Sequence, residues 1–118
     1  MPNPAVYQRL ARHDVFMKVI VDLCVIPMGV GVSVGAYIAR CQQVLQEAGL
    51  EHKLHTWGTN IEGDWDVVFS AIKRCHAVMH EEGAPRVATQ IKVGTRIDRD
   101  QSMQEKIDSV YNHLDNKT

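Results

Sequence analysis

Trp57-Gly-Thr-Asn-Ile-Glu-Gly63 lies between two stretches of helical periodicity and reads as the middle of a β-hairpin. His52 to Trp57 and Thr59 to Glu62 form two short strands, and Gly58 between them marks a tight reversal. The segment also places a carboxylate, Glu62, near a hydroxyl, Thr59, an aromatic, Trp57, and two glycines. A carboxylate between Ile61 and Gly63 in a strand costs free energy unless something pairs with it. Glycine lets a backbone turn sharply or come close to another group.

Working outward, Gly63-Asp64 opens a helix with Asp64 as its cap, and Trp65, Val68, Phe69, Ile72, His76 and Met79 form its apolar stripe. Trp65 is expected in the core. Gly83-Ala84-Pro85 ends that helix, and Val87, Thr89, Ile91 and Val93 alternate with Ala88, Gln90 and Lys92 in a fourth strand. On the other side, Met17 to Ile26 is a β-branched, alternating strand: Met17, Val19, Val21, Leu23 and Val25 on one face, Lys18, Ile20, Asp22, Cys24 and Ile26 on the other. Pro27 to Val32 reads as a loop, with Ser33 as N-cap of a helix carrying Val34, Ile38, Cys41, Leu45 and Ala48 and stopped by Gly49. A last helix carries Met103, Ile107, Val110 and Leu114, capped near Asp100 or Ser102.

The order β-α-β-β-α-β-α predicts an α+β fold, the ferredoxin-like split βαβ plan with an extra C-terminal helix. Helices cover one face of a four-stranded antiparallel sheet. The other, carrying Asp22, Cys24, Gln90 and Lys92 among apolar residues, is half-polar and open to a ligand or a second copy. At 118 residues the chain is one domain, over residues 17–114, preceded by a flexible extension over residues 1–16.

A net charge of −1, with 45% apolar and 23% charged residues, argues against electrostatic nucleic-acid binding and fits an ordinary globular chain. The apolar stretch from Val15 to Ala39 is no membrane span, because Lys18, Asp22, Pro27 and three glycines interrupt it. Cys24, Cys41 and Cys75 are sparse, odd in number and far apart, which points to core thiols in a reducing, cytoplasmic compartment.

Four other constellations carry weaker chemistry. Gly29-Val-Gly-Val-Ser-Val-Gly35 sits where a dinucleotide-binding loop would, but its GxGxxxG spacing is one residue too long, so a flexible strand-to-helix turn is the reading. His76 and His80 stand at i and i+4 on a helix, without HExxH or a third ligand, and no metal is expected. His52 and His55 point to opposite faces of their strand. Arg86, Lys92, Arg96 and Arg99 gather around the fourth strand, either as an anion or carboxylate site at the Gly94-Thr95-Arg96 turn or as a solvated edge paired with Asp98 and Asp100.

Three of these stretches in this order, Val25-Ile-Pro-Met-Gly29, Gly58-Thr-Asn-Ile-Glu-Gly63 and Arg86-Val-Ala-Thr-Gln-Ile-Lys-Val-Gly-Thr-Arg96, resemble the single-domain thiamine-binding-protein-like family. Gln104-Glu-Lys-Ile-Asp-Ser-Val110 adds weaker support. Gly94-Thr95-Arg96 is similar to the fungal branch; many bacterial members have an Asp near this arginine. The resemblance implies the ferredoxin-like fold, a homotetramer built from dimers, and binding of thiamine or its pyrimidine part in some members. It implies no catalytic activity and no cofactor.

The functional expectation is a non-catalytic, homo-oligomeric binding protein for thiamine or a related aminopyrimidine. Its candidate ligand residues are Glu62, Thr59, Trp57, Gly29 and Arg96, with Glu62 accepting hydrogen bonds from the aminopyrimidine edge. Two alternatives stand beside it. One is a structural or protein-interaction oligomer in which Glu62 pairs with Arg86 or Arg96. The other is an enzyme acting on a small anion.

Overall fold

A strand hydrogen-bonded on both sides must find partners for two rows of backbone groups, and the first strand does so. In the computed structural model, which describes residues 16–116, β1 (Lys18–Met28) lies between β3 (Gly58–Asp64) and β4 (Arg86–Thr95), and β2 (Glu51–His55) flanks β3. The antiparallel sheet has the order β2-β3-β1-β4. Helix α1 (Gly35–Glu47) connects β1 to β2, α2 (Trp65–Glu81) connects β3 to β4, and α3 (Met103–Asp115) follows β4. This is the expected α+β, ferredoxin-like class with its added helix. Apart from Phe16, the expected extension over residues 1–16 lies outside the described residues.

Side chains alternate between the faces of a strand, and directly opposed residues share a face. Val19, Val21 and Leu23 of β1 oppose Gly63, Ile61 and Thr59 of β3. On that face Val19, Val21, Leu23 and Ile61 are at most 2% exposed. Cys41, Val44 and Leu45 of α1 close over it together with Val68, Ala71, Ile72, Cys75, Val78 and Met79 of α2. The opposite face carries Lys18, Ile20, Asp22 and Cys24, across from Asp64, Glu62 and Asn60 on one side and from Gly94, Lys92 and Gln90 on the other.

Several local expectations change. Ser33 is not the N-cap of α1; Val34 stands there and no side chain caps the helix. Asp64 does occupy the N-cap position of α2, but its carboxylate accepts the Met17 N–H at 3.2 Å instead of capping. Trp65 is not core: it is 38% exposed and stacks on Phe69 with ring centroids 4.7 Å apart. Pro27 and Met28 extend β1, where a loop was expected. The β3 pairing stops at Leu23, so from there β1 has a free edge on which a proline is tolerated. Likewise Gly94 and Thr95 belong to β4 and not to a turn, pairing with Ile20 and Val19. Ser102 caps α3 as expected, accepting the Glu105 N–H at 3.1 Å. Of the expected α3 stripe only Met103 is buried.

Gly58 is the first residue of β3, and the reversal itself falls on Thr56 and Trp57. Its glycine identity comes from close approach: a Cβ there would stand 2.4 Å from the Leu23 carbonyl oxygen. Because that neighbour is backbone of the central strand, it cannot swing aside. Gly58→Ala is expected to destabilise the fold by about 1–3 kcal/mol, measured by chemical denaturation; an unchanged midpoint would show that the hairpin does not press on β1.

Candidate functional site

The face of the sheet turned away from α1 and α2 brings polar chemistry from all four strands together. Its rows follow from the register. Glu51, Glu62, Ile20 and Gly94 form one, and Lys53, Asn60, Asp22 and Lys92 the next. Glu62 is the best-shielded carboxylate among the ion pairs of this face, its side chain 12% exposed. Its Oε2 lies 3.7 Å from the Lys18 ammonium and accepts the backbone N–H of Met103 at 3.2 Å. Both contacts fall on Oε2, and Oε1 has none of its own among the described residues. In the alternative reading Glu62 pairs with Arg86 or Arg96; within this chain Lys18 takes that place. The alternation places residue 18 on this face, but only the strand register sets it beside Glu62.

Lys18 also donates to Asp100 Oδ1 at 2.9 Å. That hydrogen bond raises the ammonium's pKa, reinforced by the charges of Asp100 and Glu62 and opposed by burial. Lys18 therefore stays cationic beside Glu62 throughout the neutral range.

The five candidate residues do not converge. Thr59 is buried on the helix-covered face, where its hydroxyl accepts from the Gln42 amide at 2.9 Å. Odd and even positions of one strand point apart, so Thr59 and Glu62 lie on opposite sides of the sheet. Trp57 is 82% exposed at the tip of the β2–β3 hairpin. Gly29 follows the last residue of β1 with φ +79°, a conformation glycine adopts freely, and a Cβ there would meet Pro85 at 2.9 Å. Arg96 is exposed beyond β4, and its guanidinium grips Asp98 through two bonds of 2.5 and 2.7 Å and Gln101 at 2.8 Å. The second of the two readings of the basic cluster thus holds for Arg96, which braces the turn leading into α3.

Sequence reasoning missed one feature of the polar face. His55 Nε2 lies 2.7 Å from Asp22 Oδ1, and the Trp57 N–H donates to His55 Nδ1 at 3.2 Å. With Nδ1 accepting, the ring proton sits on Nε2 and is donated to Asp22. This chain ties the hairpin tip to the central strand. A signal existed in the sequence, since His55 and Asp22 both sit on strands, but their adjacency depends on register.

The other titratable clusters are occupied elsewhere. His76 contacts the Thr89 hydroxyl at 3.4 Å and His80 the Ala84 carbonyl at 2.8 Å, while His52 contacts the Leu50 carbonyl at 2.8 Å. Among the described residues no group of three or more His, Cys, Asp or Glu is placed to hold a metal. Cys41 and Cys75 are buried where α1 meets α2, each thiol facing the other's carbonyl at 3.9 Å. The neighbouring Cys75 thiol and burial hold the Cys41 thiol well above the ordinary cysteine range, so it is a protonated, inert core group. Among the described residues no helix is long and apolar enough to cross a membrane. Two shallow grooves, of about 310 Å³ beside Ala48 and Arg74 and about 330 Å³ along α3, contain none of the five candidates.

A family model described as thiamine-binding protein matches residues 21–111. A UPF0045 protein of Synechocystis sp. is 61% identical over 100 residues, covering 85% of this chain and 83% of that protein. A UPF0045 protein of the fungus Eremothecium gossypii is 37% identical over 99 residues, covering 83% and 94%. Among solved structures, a hypothetical protein of Methanocaldococcus jannaschii is similar with a TM-score of 0.75 and 27% identity, covering 80% of this chain and 97% of that one.

The Arg96–Asp98 pair has a checkable electrostatic signature. The Arg96 hydrogen bonds hold the Asp98 carboxyl below the ordinary carboxylate range. The pair's contribution is therefore complete above the ordinary value and is lost as pH falls through the lowered one. In Arg96→Ala the Asp98 carboxyl is expected to titrate at higher pH than in the parent chain, read by NMR. Because both groups are exposed and screened by solvent, the melting temperature should change little.

Proposed function

Because the chain belongs to the thiamine-binding protein family, we propose that it is a non-catalytic binding protein for thiamine or a related aminopyrimidine, working as a cytoplasmic homotetramer, a dimer of dimers. Glu62 carries this reading. It is a shielded carboxylate on the polar face with one oxygen engaged and, among the described residues, the other free. An aminopyrimidine presents an amino donor that Oε1 can accept, a charge-assisted bond worth about 1.5–3 kcal/mol. Asn60 and Asp22 lie next along the same face. Trp57 offers an exposed aromatic surface at its rim. In this reading Thr59, Gly29 and Arg96 serve the site indirectly, by holding β3, the end of β1 and the approach to α3.

Assembly is part of the proposal because a ligand on this face needs a cover. Two separate surfaces suit two kinds of contact between copies. One is the outer edge of β4, with Ile91 and Val93 exposed beside it. The other is the α3 stripe of Ile107, Val110, Tyr111 and Leu114, each 44–62% exposed. Cys24, Cys41 and Cys75 are all free, which supports a reducing compartment.

A structural role for Glu62 is the second reading, favoured by its bonds to Lys18 and Met103. Glu62→Gln separates the two, since the amide keeps an acceptor but loses the charge. The expected outcome is about ten- to a hundred-fold weaker affinity for thiamine, its phosphates or the free pyrimidine by calorimetry, with little change in melting temperature. Unchanged affinity with lost stability would favour the structural role, and turnover of any of these compounds would favour an enzyme.

Light scattering at micromolar concentration is expected to return the mass of four chains. The mass of one chain would reject the assembly.

A further inference from the structure

We infer that Glu62 couples ligand binding to the seating of the C-terminal helix: a group held on its free oxygen tightens α3 on the sheet, and loosening α3 weakens the ligand. This rests on the reading of Glu62 as the ligand carboxylate.

Helix α3 is held to the sheet at its first turn. Met103, 6% exposed, is its one buried residue, and the apolar residues from Ile107 onward stand exposed. Polar links from three strands reinforce that anchor. Glu62 of β3 accepts the Met103 N–H, Lys18 of β1 bridges Glu62 and Asp100, and Lys53 of β2 donates to Gln104 Oε1. The first N–H groups of a helix have no partner within it. Here Ser102 serves Glu105 and Glu62 serves Met103, so part of the capping of α3 comes from the sheet.

The sign of the coupling follows from which oxygen does what. The helix and Lys18 use Oε2, which among the described residues leaves Oε1 for a donor from outside. A carboxylate has acceptor sites enough for both at once. The two partners therefore do not compete. Each immobilises the side chain that the other needs immobilised, and the second to bind meets a smaller entropic cost. The coupling acts equally in both directions.

Hydrogen exchange on the full chain, followed in peptides across Met103–Asp115, tests this together with thiamine affinities. Saturating thiamine is expected to slow exchange in α3 about five-fold or more. Glu62→Ala, without ligand, should speed it about ten-fold, the size of a lost cap. Met103→Ser leaves Glu62 in place and should weaken thiamine about ten-fold. Lys53→Ala, a milder cut outside the core, should move affinity in the same direction.

If thiamine binds but exchange in α3 does not change, the coupling is overturned while the ligand reading stands. The same follows if both Met103→Ser and Lys53→Ala bind like the parent chain. If thiamine, its phosphates and the free pyrimidine all fail to bind the parent chain, the ligand reading fails and the coupling falls with it.

Discussion

The two-sided pairing of β1 is the constraint on which the rest of this structure depends. Because β3 and β4 both run antiparallel to it, each residue from Val19 to Leu23 sets the face of one residue on either neighbour. Val19, Val21 and Leu23 thereby align Ile61 into the layer closed by α1 and α2. The same register puts Lys18, Ile20 and Asp22 on the other side, across from Asp64, Glu62 and Asn60. A slip of one residue would drive charged groups into the core and apolar ones out of it, so the alternation defends the register. The close contact of Gly58 with the Leu23 backbone gives a second, steric reason for the hairpin to sit where it does.

That register also resolves why a carboxylate occupies position 62. An unpaired acid shielded this far from water would be costly. Lys18 and the Met103 amide offset the cost, and the side chain keeps enough exposure to leave one oxygen available. The link to α3 is chemically economical, since the helix supplies a donor that would otherwise lack a partner. Arg96 contributes from a distance by bracing the turn through Asp98 and Gln101 before the helix begins.

The opposite side of the sheet shows how polar residues can serve the scaffold alone. Thr59 is buried among apolar neighbours, and its hydroxyl is satisfied by Gln42 from α1. It thereby ties the first helix to β3. His55, between Asp22 and the Trp57 amide, does a related task on the open face, holding the hairpin tip against β1. Both are pairings of residues far apart in the chain.

The element order, the strand alternations and the stop of α1 at Gly49 were legible in the sequence, because they rest on local periodicity and on glycine's conformational freedom. Glu62 stood out for the same reason: a carboxylate between Ile61 and Gly63 in a short strand is a local anomaly. Its partners were not legible. Lys18 and Met103 meet it only through strand register and the path of the turn before α3, and the alternative in which Glu62 pairs with Arg86 or Arg96 named a different partner. The exposure of Trp65 and of the α3 stripe likewise follows from where the layers end, which periodicity does not encode. The sequence by itself determined which residues alternate, turn and cap, because those depend on neighbours within a few positions. Only the tertiary structure decided that Gln42 meets Thr59, that Lys18 meets Glu62 and that a sheet carboxylate caps a helix about forty residues later, because contacts of that range are set by packing and register.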